Sequence, residues 1–185
     1  DLPISKTPQL TLLAAVAVVN AIKETANLKP SIKWPNDILI NGRKVCGILT
    51  ELQAEENHVQ SVIIGIGINV NQLITDFPEE LQTIATSLKI ESNKTIDRTK
   101  LLQNICYEFE KQLKLYLNEG FQPIKTLWES SSNSIGRKIT ARTANGIFNG
   151  YALGINDDGV LLLKQDTGEI VEIYSADIDI PNEED

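Results

Sequence analysis

The sequence predicts an α+β fold: a mixed sheet with packed helices, followed by a small SH3-like β-barrel. Three observations predict it. Two long segments, around residues 7–26 and 97–120, carry apolar residues suited to buried or amphipathic helices. Between them, apolar runs flank Asn41-Gly42, the strongest short hairpin signal, since a type I′ turn needs positive φ at both central residues. After Gly136 come short strands separated by Asn145-Gly146, Asp157-Asp158-Gly159 and Asp166-Thr167-Gly168, turn signals about ten residues apart.

Thr7-Pro8 reads as a helix entry, with threonine as cap and proline at the first helical position. That helix runs to about Ala26 and ends before Lys29-Pro30. Strands are expected around 31–34, 38–41, 44–53 and 59–70, the last two joined by the polar loop Ala54-Glu55-Glu56-Asn57-His58. His58 reads there as a solvated loop residue, not a catalyst. Phe77-Pro78-Glu79-Glu80-Leu81 reads as a short helical turn. Asp97 caps a helix in which Leu101, Leu102, Ile105, Phe109, Leu113, Tyr116 and Leu117 form an apolar stripe for core packing, and Gly120 closes it. A shorter helix holds Ile124, Leu127 and Trp128. The small polar run Ser130 to Ser134 marks a domain boundary, dividing the chain into 1–134 and 135–185. Barrel strands fit near 137–143, 147–155, 159–164, 169–174 and 176–180, and Pro181 to Asp185 reads as a frayed acidic tail.

The chain has 185 residues, enough for one domain of good size or one plus a small one. A net charge of −8 argues against nonspecific nucleic-acid binding, whose affinity comes largely from Lys and Arg neutralising phosphates. No nucleic acid is expected to bind this segment, although Lys33, Arg43 and Lys44 form a local basic cluster. Cys46 and Cys106 are too few for a disulfide framework and read as reduced small hydrophobes, which suits a cytoplasmic location. One histidine and two cysteines give no zinc constellation, so no metal site is expected. Leu10 to Val19 is the most apolar stretch. It is too short to span a bilayer and is flanked by Lys6 and Lys23, so it reads as a buried helix, with no membrane partner and no visible signal peptide.

Chemistry concentrates in Lys33-Trp34-Pro35-Asn36-Asp37, followed by Arg43-Lys44 and Gly47. Pro35 fixes its own φ and pushes Trp34 toward an extended conformation, which stiffens the turn. Trp34 reads as packing under that turn. The two strands of the hairpin can bring Asp37 and Lys44, an acid and a base, toward one cleft. Alone, Lys44 would read as a surface strand lysine, Asp37 as a turn residue accepting backbone hydrogen bonds, and Gly47 as a bulge. Gly65-x-Gly67 lets a ligand approach a strand's backbone, but Val70 stands where a dinucleotide fingerprint needs its third glycine.

The run K-W-P-N-D-I-L-I-N-G-R-K-V-C-G-I-L-T-E, Lys33 to Glu51, resembles the signature of biotin–protein ligases. The resemblance continues in Ile64-Gly65-Ile66-Gly67-Ile68-Asn69-Val70-Asn71, in Ala85-Thr86-Ser87-Leu88, and in Trp128 followed by Gly136-Arg137. It covers the chain from about residue 7 onward. The family's Gly-Arg-Gly-Arg biotin loop and the Ser-Thr-Asn segment before it do not occur. By this comparison the chain is expected to be the C-terminal part of a ligase, a class II synthetase-like core lacking its first segment, plus the family's barrel. It is expected to bind biotin poorly by itself.

The resemblance implies a two-step reaction. Biotin and ATP, the latter with Mg2+, give biotinyl-5′-AMP and pyrophosphate; a lysine of a carboxylase's biotin carboxyl carrier domain then displaces AMP. Lys44 matches the catalytic lysine that stabilises charge as two anions meet, and Asp37 the acid that faces the incoming amine. Asn36 and Asn69 are implied nucleotide contacts, Gly47 a border of the biotinyl chain, and Gly65 and Gly67 part of the same binding surface. Arg43 is a candidate phosphate or carboxylate contact. Lipoate ligase relatives and a non-catalytic binding protein on the same fold are the alternatives. An upstream DNA-binding helix-turn-helix and a homodimer stay open.

Overall fold

The apolar stretch near the start forms helix α1 (Thr7–Ala26), in a computed structural model that describes residues 3–55 and 58–181. Its entry differs from the expected cap. A 3-10 turn, Ile4–Lys6, runs directly into the helix, so Lys6 holds the cap position in helical conformation and Thr7 already lies inside. A capping side chain needs an extended residue just outside the helix, and the preceding turn removes it. Pro8 still falls in the first turn, where no N–H is required, and Asn27, at φ 53, closes the helix.

Four strands follow: β1 (Ser31–Lys33), β2 (Asp37–Ile40), β3 (Arg43–Glu55) and β4 (His58–Ile68). They pair antiparallel in that order. Asn41 and Gly42 have φ of 51° and 76°, as the two-residue hairpin requires, and Ile40 pairs Arg43 across it. The polar loop expected at 54–58 is shorter, because Ala54 pairs Val59 and Glu55 pairs His58. Glu56 and Asn57 lie outside the described residues, as do residues 182–185 of the expected tail.

The 3-10 turns Ile74–Asp76 and Glu79–Leu81 and the short helix α2 (Leu88–Ser92) then lead to α3 (Arg98–Glu119) and α4 (Gln122–Ser131). Asp97 caps α3 by accepting from the amides of Thr99 and Lys100, and Gly120 ends it at φ 78. The last five strands are β5 (Lys138–Thr143), β6 (Gly146–Ile155), β7 (Leu161–Lys164), β8 (Ile170–Ile173) and β9 (Asp177–Asp179). Their antiparallel order, β8-β7-β6-β5-β9, fits the small barrel read from the turn spacing. The α+β class stands.

By length and composition α1 could cross a bilayer, contrary to the expectation that its apolar stretch is too short. It serves as the core instead. Leu12 to Val19 are at most 2% exposed, packed between the sheet, α3 and α4. Ile124 and Trp128 of α4 are fully buried beside it. Cys46 is buried in the same core, whereas Cys106 lies exposed on α3, so only the first behaves as a packed hydrophobe.

The stripe expected on α3 is corrected in composition. Leu101, Ile105 and Tyr116 are buried, but Leu102 and Leu117 are 61% and 71% exposed, while Asn104, Glu108 and Gln112 are buried in their place. Asn104 and Glu108 have partners on α1, as does Tyr116, while Gln112 Nε2 donates to Glu108 Oε2 at 3.3 Å within α3. Asn104 Nδ2 donates to Thr25 Oγ1 at 2.9 Å, Asn20 Nδ2 to Glu108 Oε2 at 3.0 Å, and the Tyr116 hydroxyl to Gln9 Oε1 at 2.5 Å. A polar group can replace an apolar one in a core when it is hydrogen-bonded, and an apolar count along the helix cannot see this.

Burial alone would push the Glu108 carboxyl up, yet hydrogen bonds from Lys111, Asn20 and Gln112, with the charge of Lys111, hold it below its ordinary value. A lowered folded-state value means that the stabilisation is present above the ordinary glutamate range and is lost as pH falls through the folded value. Glu108→Gln is expected to cost about 1.5–3 kcal/mol at pH 7, the range for a hydrogen bond to a charged group. In urea unfolding the gap to the unsubstituted protein should begin to narrow as pH falls below about 4.3, the unperturbed glutamate value, and close only below the lowered folded value; a gap that stays constant with pH would refute the assignment.

Candidate active site

The site is built on one face of the β3–β4 ribbon. Gly47 pairs Gly67, Leu49 pairs Gly65 and Glu51 pairs Ile63, so these residues share a face, while Cys46 and Ile48 point into the core. A Cβ at Gly65 or Gly67 would meet only ordinary van der Waals contacts, 3.6 Å from the Leu49 carbonyl and 3.8 Å from the Gly47 carbonyl. These glycines therefore relieve no clash in the sheet. What they supply is a bare strip of backbone that a ligand can reach.

Lys44 reaches this face through a β-bulge. The β2–β3 register shifts between Ile38 and Leu39: Ile38 pairs Cys46 but Leu39 pairs Lys44, which leaves Val45 extra. Val45 and Cys46 are consequently both buried, and Lys44 emerges beside Gly47 instead of following Cys46 into the core. Asp37, opposite Gly47 in the ladder, accepts from Lys44 Nζ at 2.6 Å. The predicted acid and base are thus brought together. Gly47 makes room for them, since a Cβ there would stand 3.3 Å from Lys44 Cε and 3.7 Å from Asp37 Oδ1.

The other predicted residues divide. Asn69 lines a cavity of about 650 Å³ together with Lys44, Gly47, Gly67, Phe77 and Leu81. Its backbone is fixed at both ends, N–H to the Val45 carbonyl at 2.9 Å and carbonyl to the Leu88 amide at 3.0 Å. Asn36 spends its amide group on structure. Its Nδ2 donates to the Ile48 carbonyl at 2.7 Å, and the Ile48 amide donates to the Asn36 carbonyl at 3.0 Å, tying the turn to β3. Trp34 is buried at 3% exposure, as a packing residue. A second cavity of about 490 Å³ opens beside the turn, lined by Thr11, Trp34, Asn36, Leu49 and Tyr174 among others.

Arg43 is not among the residues lining the larger cavity. Its guanidinium donates to Glu91 Oε1 at 2.7 Å. The Glu91 side chain, only 3% exposed, also accepts from Asn41 Nδ2 at 2.7 Å and Thr86 Oγ1 at 2.6 Å. This cluster clips the segment after β4 onto the hairpin.

Phe77, Leu81, Ile84 and Ala85 were not read as site residues. They form the far wall of the cavity, held there because the Lys44 amide donates to the Ile84 carbonyl at 2.8 Å and the Thr86 amide to the Lys44 carbonyl at 2.9 Å. They belong to an irregular segment with no hydrophobic period, and although Ala85 falls in a stretch that resembles the ligases, no local signal placed Phe77, Leu81 and Ile84 against the hairpin.

Burial separates Cys46 from Lys44, two positions before it. Burial pushes the Cys46 thiol up to about 12, with the Asp37 charge adding to the effect and Lys44 opposing it. That thiol stays protonated and inert near neutral pH. Lys44 is half exposed and opens onto the cavity. Its ammonium stands beside the bare backbone strip, paired with Asp37.

Glu91→Ala should leave Arg43, Asn41 and Thr86 without their common acceptor and cost about 1–3 kcal/mol of stability. Arg43→Ala leaves the Glu91 carboxylate, 3% exposed, without its cation and should cost more. Thermal unfolding of the two variants checks the order, and a reversed order would argue against the clip.

Residues 2–69 match the Biotin/lipoate A/B protein ligase family, and residues 134–180 match the Biotin protein ligase C terminal domain. The bifunctional ligase/repressor BirA of Bacillus subtilis is 60% identical over 180 residues, which cover 97% of this chain and 55% of that protein. The chain therefore spans about half the length of that relative. The biotin--[acetyl-CoA-carboxylase] ligase of Paracoccus denitrificans is 34% identical over 169 residues, 88% of this chain and 69% of that protein. The apo structure of the biotin protein ligase from Aquifex aeolicus superposes with a TM-score of 0.85 at 30% identity, covering 96% of this chain and 77% of that one. The same enzyme in complex with biotin and ATP matches with a TM-score of 0.80 at 30% identity, over 94% and 71%. With its glycine-bare strip, bulged lysine and C-terminal barrel, the chain belongs to the biotin protein ligase family.

Proposed function

We propose that this chain carries the adenylate site of a biotin–protein ligase, which forms biotinyl-5′-AMP from biotin and ATP and transfers biotin to a lysine of a carboxylase carrier domain. The observation that carries this reading is the Lys44–Asp37 pair, 2.6 Å apart at the edge of a glycine-bare strip and an open cavity. The Aquifex ligase was solved with biotin and ATP, and the Paracoccus relative is named for its carboxylase, which supports the choice of substrates and acceptor. In this reading residues 1–134 supply the catalytic core and 135–185 the barrel.

The first half-reaction forms a bond between a biotin carboxylate oxygen and the α-phosphorus of ATP, and pyrophosphate leaves. Two anions must approach, so a fixed cation at their meeting point stabilises the transition state more than the separated reactants. Lys44 supplies that cation. Asp37 holds the ammonium over Gly47 before substrates arrive, so little reorganisation is needed when they do. The biotinyl chain passes over Gly47 and Gly65, and the nucleotide occupies the cavity beside Gly67 and Asn69, with Phe77 and Leu81 as an apolar wall. The Asn69 amide offers adenine both a donor and an acceptor. Asn36 contributes by fixing the turn, and Arg43 by holding the cavity wall through Glu91. Magnesium enters with ATP as part of the substrate.

In the second half-reaction the carrier lysine attacks the carbonyl of the mixed anhydride and AMP leaves. The amine arrives mostly as ammonium and must lose a proton first. Asp37, at the mouth of the strip, orients it and stabilises the charge that develops on nitrogen.

Lys44→Ala in the full natural polypeptide should slow adenylate formation by about 10²-fold or more, the usual effect of removing a charge-stabilising donor. Lys44→Arg should restore only part, because a planar fork does not replace a compact ammonium. Unchanged pyrophosphate release in a single turnover of the alanine variant would remove Lys44 from the mechanism.

Asp37→Asn separates the half-reactions. It loosens Lys44, so adenylate formation should fall a little, but transfer from synthetic biotinyl-AMP should fall further, by about 10- to 10⁴-fold. Raising the pH should recover part of the transfer, as more of the carrier lysine arrives neutral. Normal transfer from supplied biotinyl-AMP would exclude Asp37 as the group that receives the amine.

A further inference from the structure

We infer that the barrel loop Asn156–Val160 is a positioning element of this site and that Trp34 is the positioning residue through which it acts; the catalytic half of this inference rests on the proposed role of Asp37.

The turn Trp34–Asn36 that carries Asp37 has little support from its own sheet. It follows β1, a three-residue strand at the sheet's edge that pairs only with β2 among the sheet strands. The chain entering the turn is instead held from beyond α4. The Trp34 indole Nε1 donates to the Gly159 carbonyl at 3.3 Å, across 125 residues of sequence. The Asn133 amide donates to the Ile32 carbonyl at 3.0 Å, and Lys33 Nζ lies 3.6 Å from Asp177 Oδ1. Successive residues 32, 33 and 34 thus each meet a partner in the C-terminal third of the chain.

The loop that presents Gly159 is built to hold its shape. The Asn156 side-chain oxygen accepts from the amides of Asp158 and Val160, both at 3.0 Å, and the Gly159 amide donates to the Asn156 carbonyl at 3.0 Å. The loop is fastened to the helices as well. Gln9 Nε2 donates to the Asp157 carbonyl at 2.7 Å, and Lys125 Nζ lies 3.3 Å from Asp157 Oδ1. Gly159 has φ +83, and a Cβ there would come within 2.8 Å of Leu12 Cδ1. Its carbonyl is therefore aimed by a conformation that favours glycine and lies against α1.

The result is a turn held at two points on either side of Pro35. The barrel loop holds Trp34, and β3 holds Asn36 through the paired hydrogen bonds with Ile48. Asp37 is the next residue. A loss of grip at Trp34 is transmitted over two residues to the carboxylate and, through it, to Lys44.

Two variants test this. Trp34→Phe keeps a ring in the pocket but removes the indole N–H, and Asn156→Ala removes the acceptor that shapes the loop without touching the turn. Hydrogen exchange of the 185-residue chain, with no ligand present, reads the structural half. The Ile48 amide, which donates to the Asn36 carbonyl, should exchange about 3- to 10-fold faster in both variants, the factor expected for one hydrogen bond of usual net strength. The amides of Gly65 to Ile68 should not change. An unchanged Ile48, or a uniform rise across the sheet, would overturn the inference. The catalytic half is read in the full natural polypeptide, as transfer from synthetic biotinyl-AMP to a carrier domain. Its maximal rate should fall about 3- to 10-fold in both variants, with the carrier KM unchanged. Unaltered transfer in the presence of faster Ile48 exchange would also overturn it. Absence of transfer in the unsubstituted polypeptide would instead refute the ligase reading, and the exchange result would still decide whether the loop holds the turn.

Discussion

The register of β2 against β3 slips by one residue between Ile38 and Leu39, and the position of Lys44 depends on that slip. In a regular strand side chains alternate, so Lys44 would share a face with Cys46 and point into the core beside α1. An ammonium buried there without a partner would be costly. The bulge at Val45 puts two consecutive apolar residues inward and returns Lys44 to the outer face, where Gly47 leaves space and Asp37 supplies the counter-charge. Three local features thus have to coincide: an extra residue, a missing side chain and a carboxylate opposite it.

The neighbouring cation is handled differently. Arg43 closes the hairpin and turns to Glu91, while the backbone of Lys44 is bracketed by Ile84 and Thr86. The two adjacent basic residues end up with separate tasks. One fastens the segment after β4 against the hairpin, which sets the far wall of the cavity. The other projects into the cavity that this wall creates. Removing the fastening would widen the site without touching any group that faces a ligand.

Much of this was legible in the sequence, for reasons that can be named. Asn41-Gly42 fixed the hairpin because few residues tolerate its backbone angles, Asp97 and Gly120 bounded α3, and evenly spaced turn signals marked the barrel strands. Asp37 and Lys44 were placed in one cleft from the hairpin and the resemblance, without the bulge that brings it about. What escaped was either polar and buried or nonlocal and irregular. Asn104, Glu108 and Gln112 interrupt the apolar count on α3, yet they are buried: Thr25 accepts from Asn104, and Asn20 and Gln112 both donate to Glu108. Arg43 looked free for a ligand because its partner, Glu91, is 48 residues away in a segment with no regular pattern. Thr7 looked like a cap because nothing in the sequence announced the 3-10 turn before it.

The three cations of the basic cluster differ in how firmly each is held. Each has a carboxylate partner of its own: Lys33 with Asp177, Arg43 with Glu91 and Lys44 with Asp37. Their ability to change partners differs with enclosure. Glu91 is 3% exposed and accepts three hydrogen bonds, so drawing Arg43 away would strand a buried carboxylate, which is expensive. Lys33 is paired with an exposed aspartate of the barrel, away from the cavity lining, where exchange is cheap. Lys44 is 49% exposed, its aspartate keeps access to solvent, and the cavity opens beside it. A carboxylate or phosphate that reached the cavity could share the ammonium with Asp37 at little desolvation cost. The cluster thus divides into one locked, one peripheral and one exchangeable pair, and the exchangeable one stands beside a cavity in a chain of net charge −8.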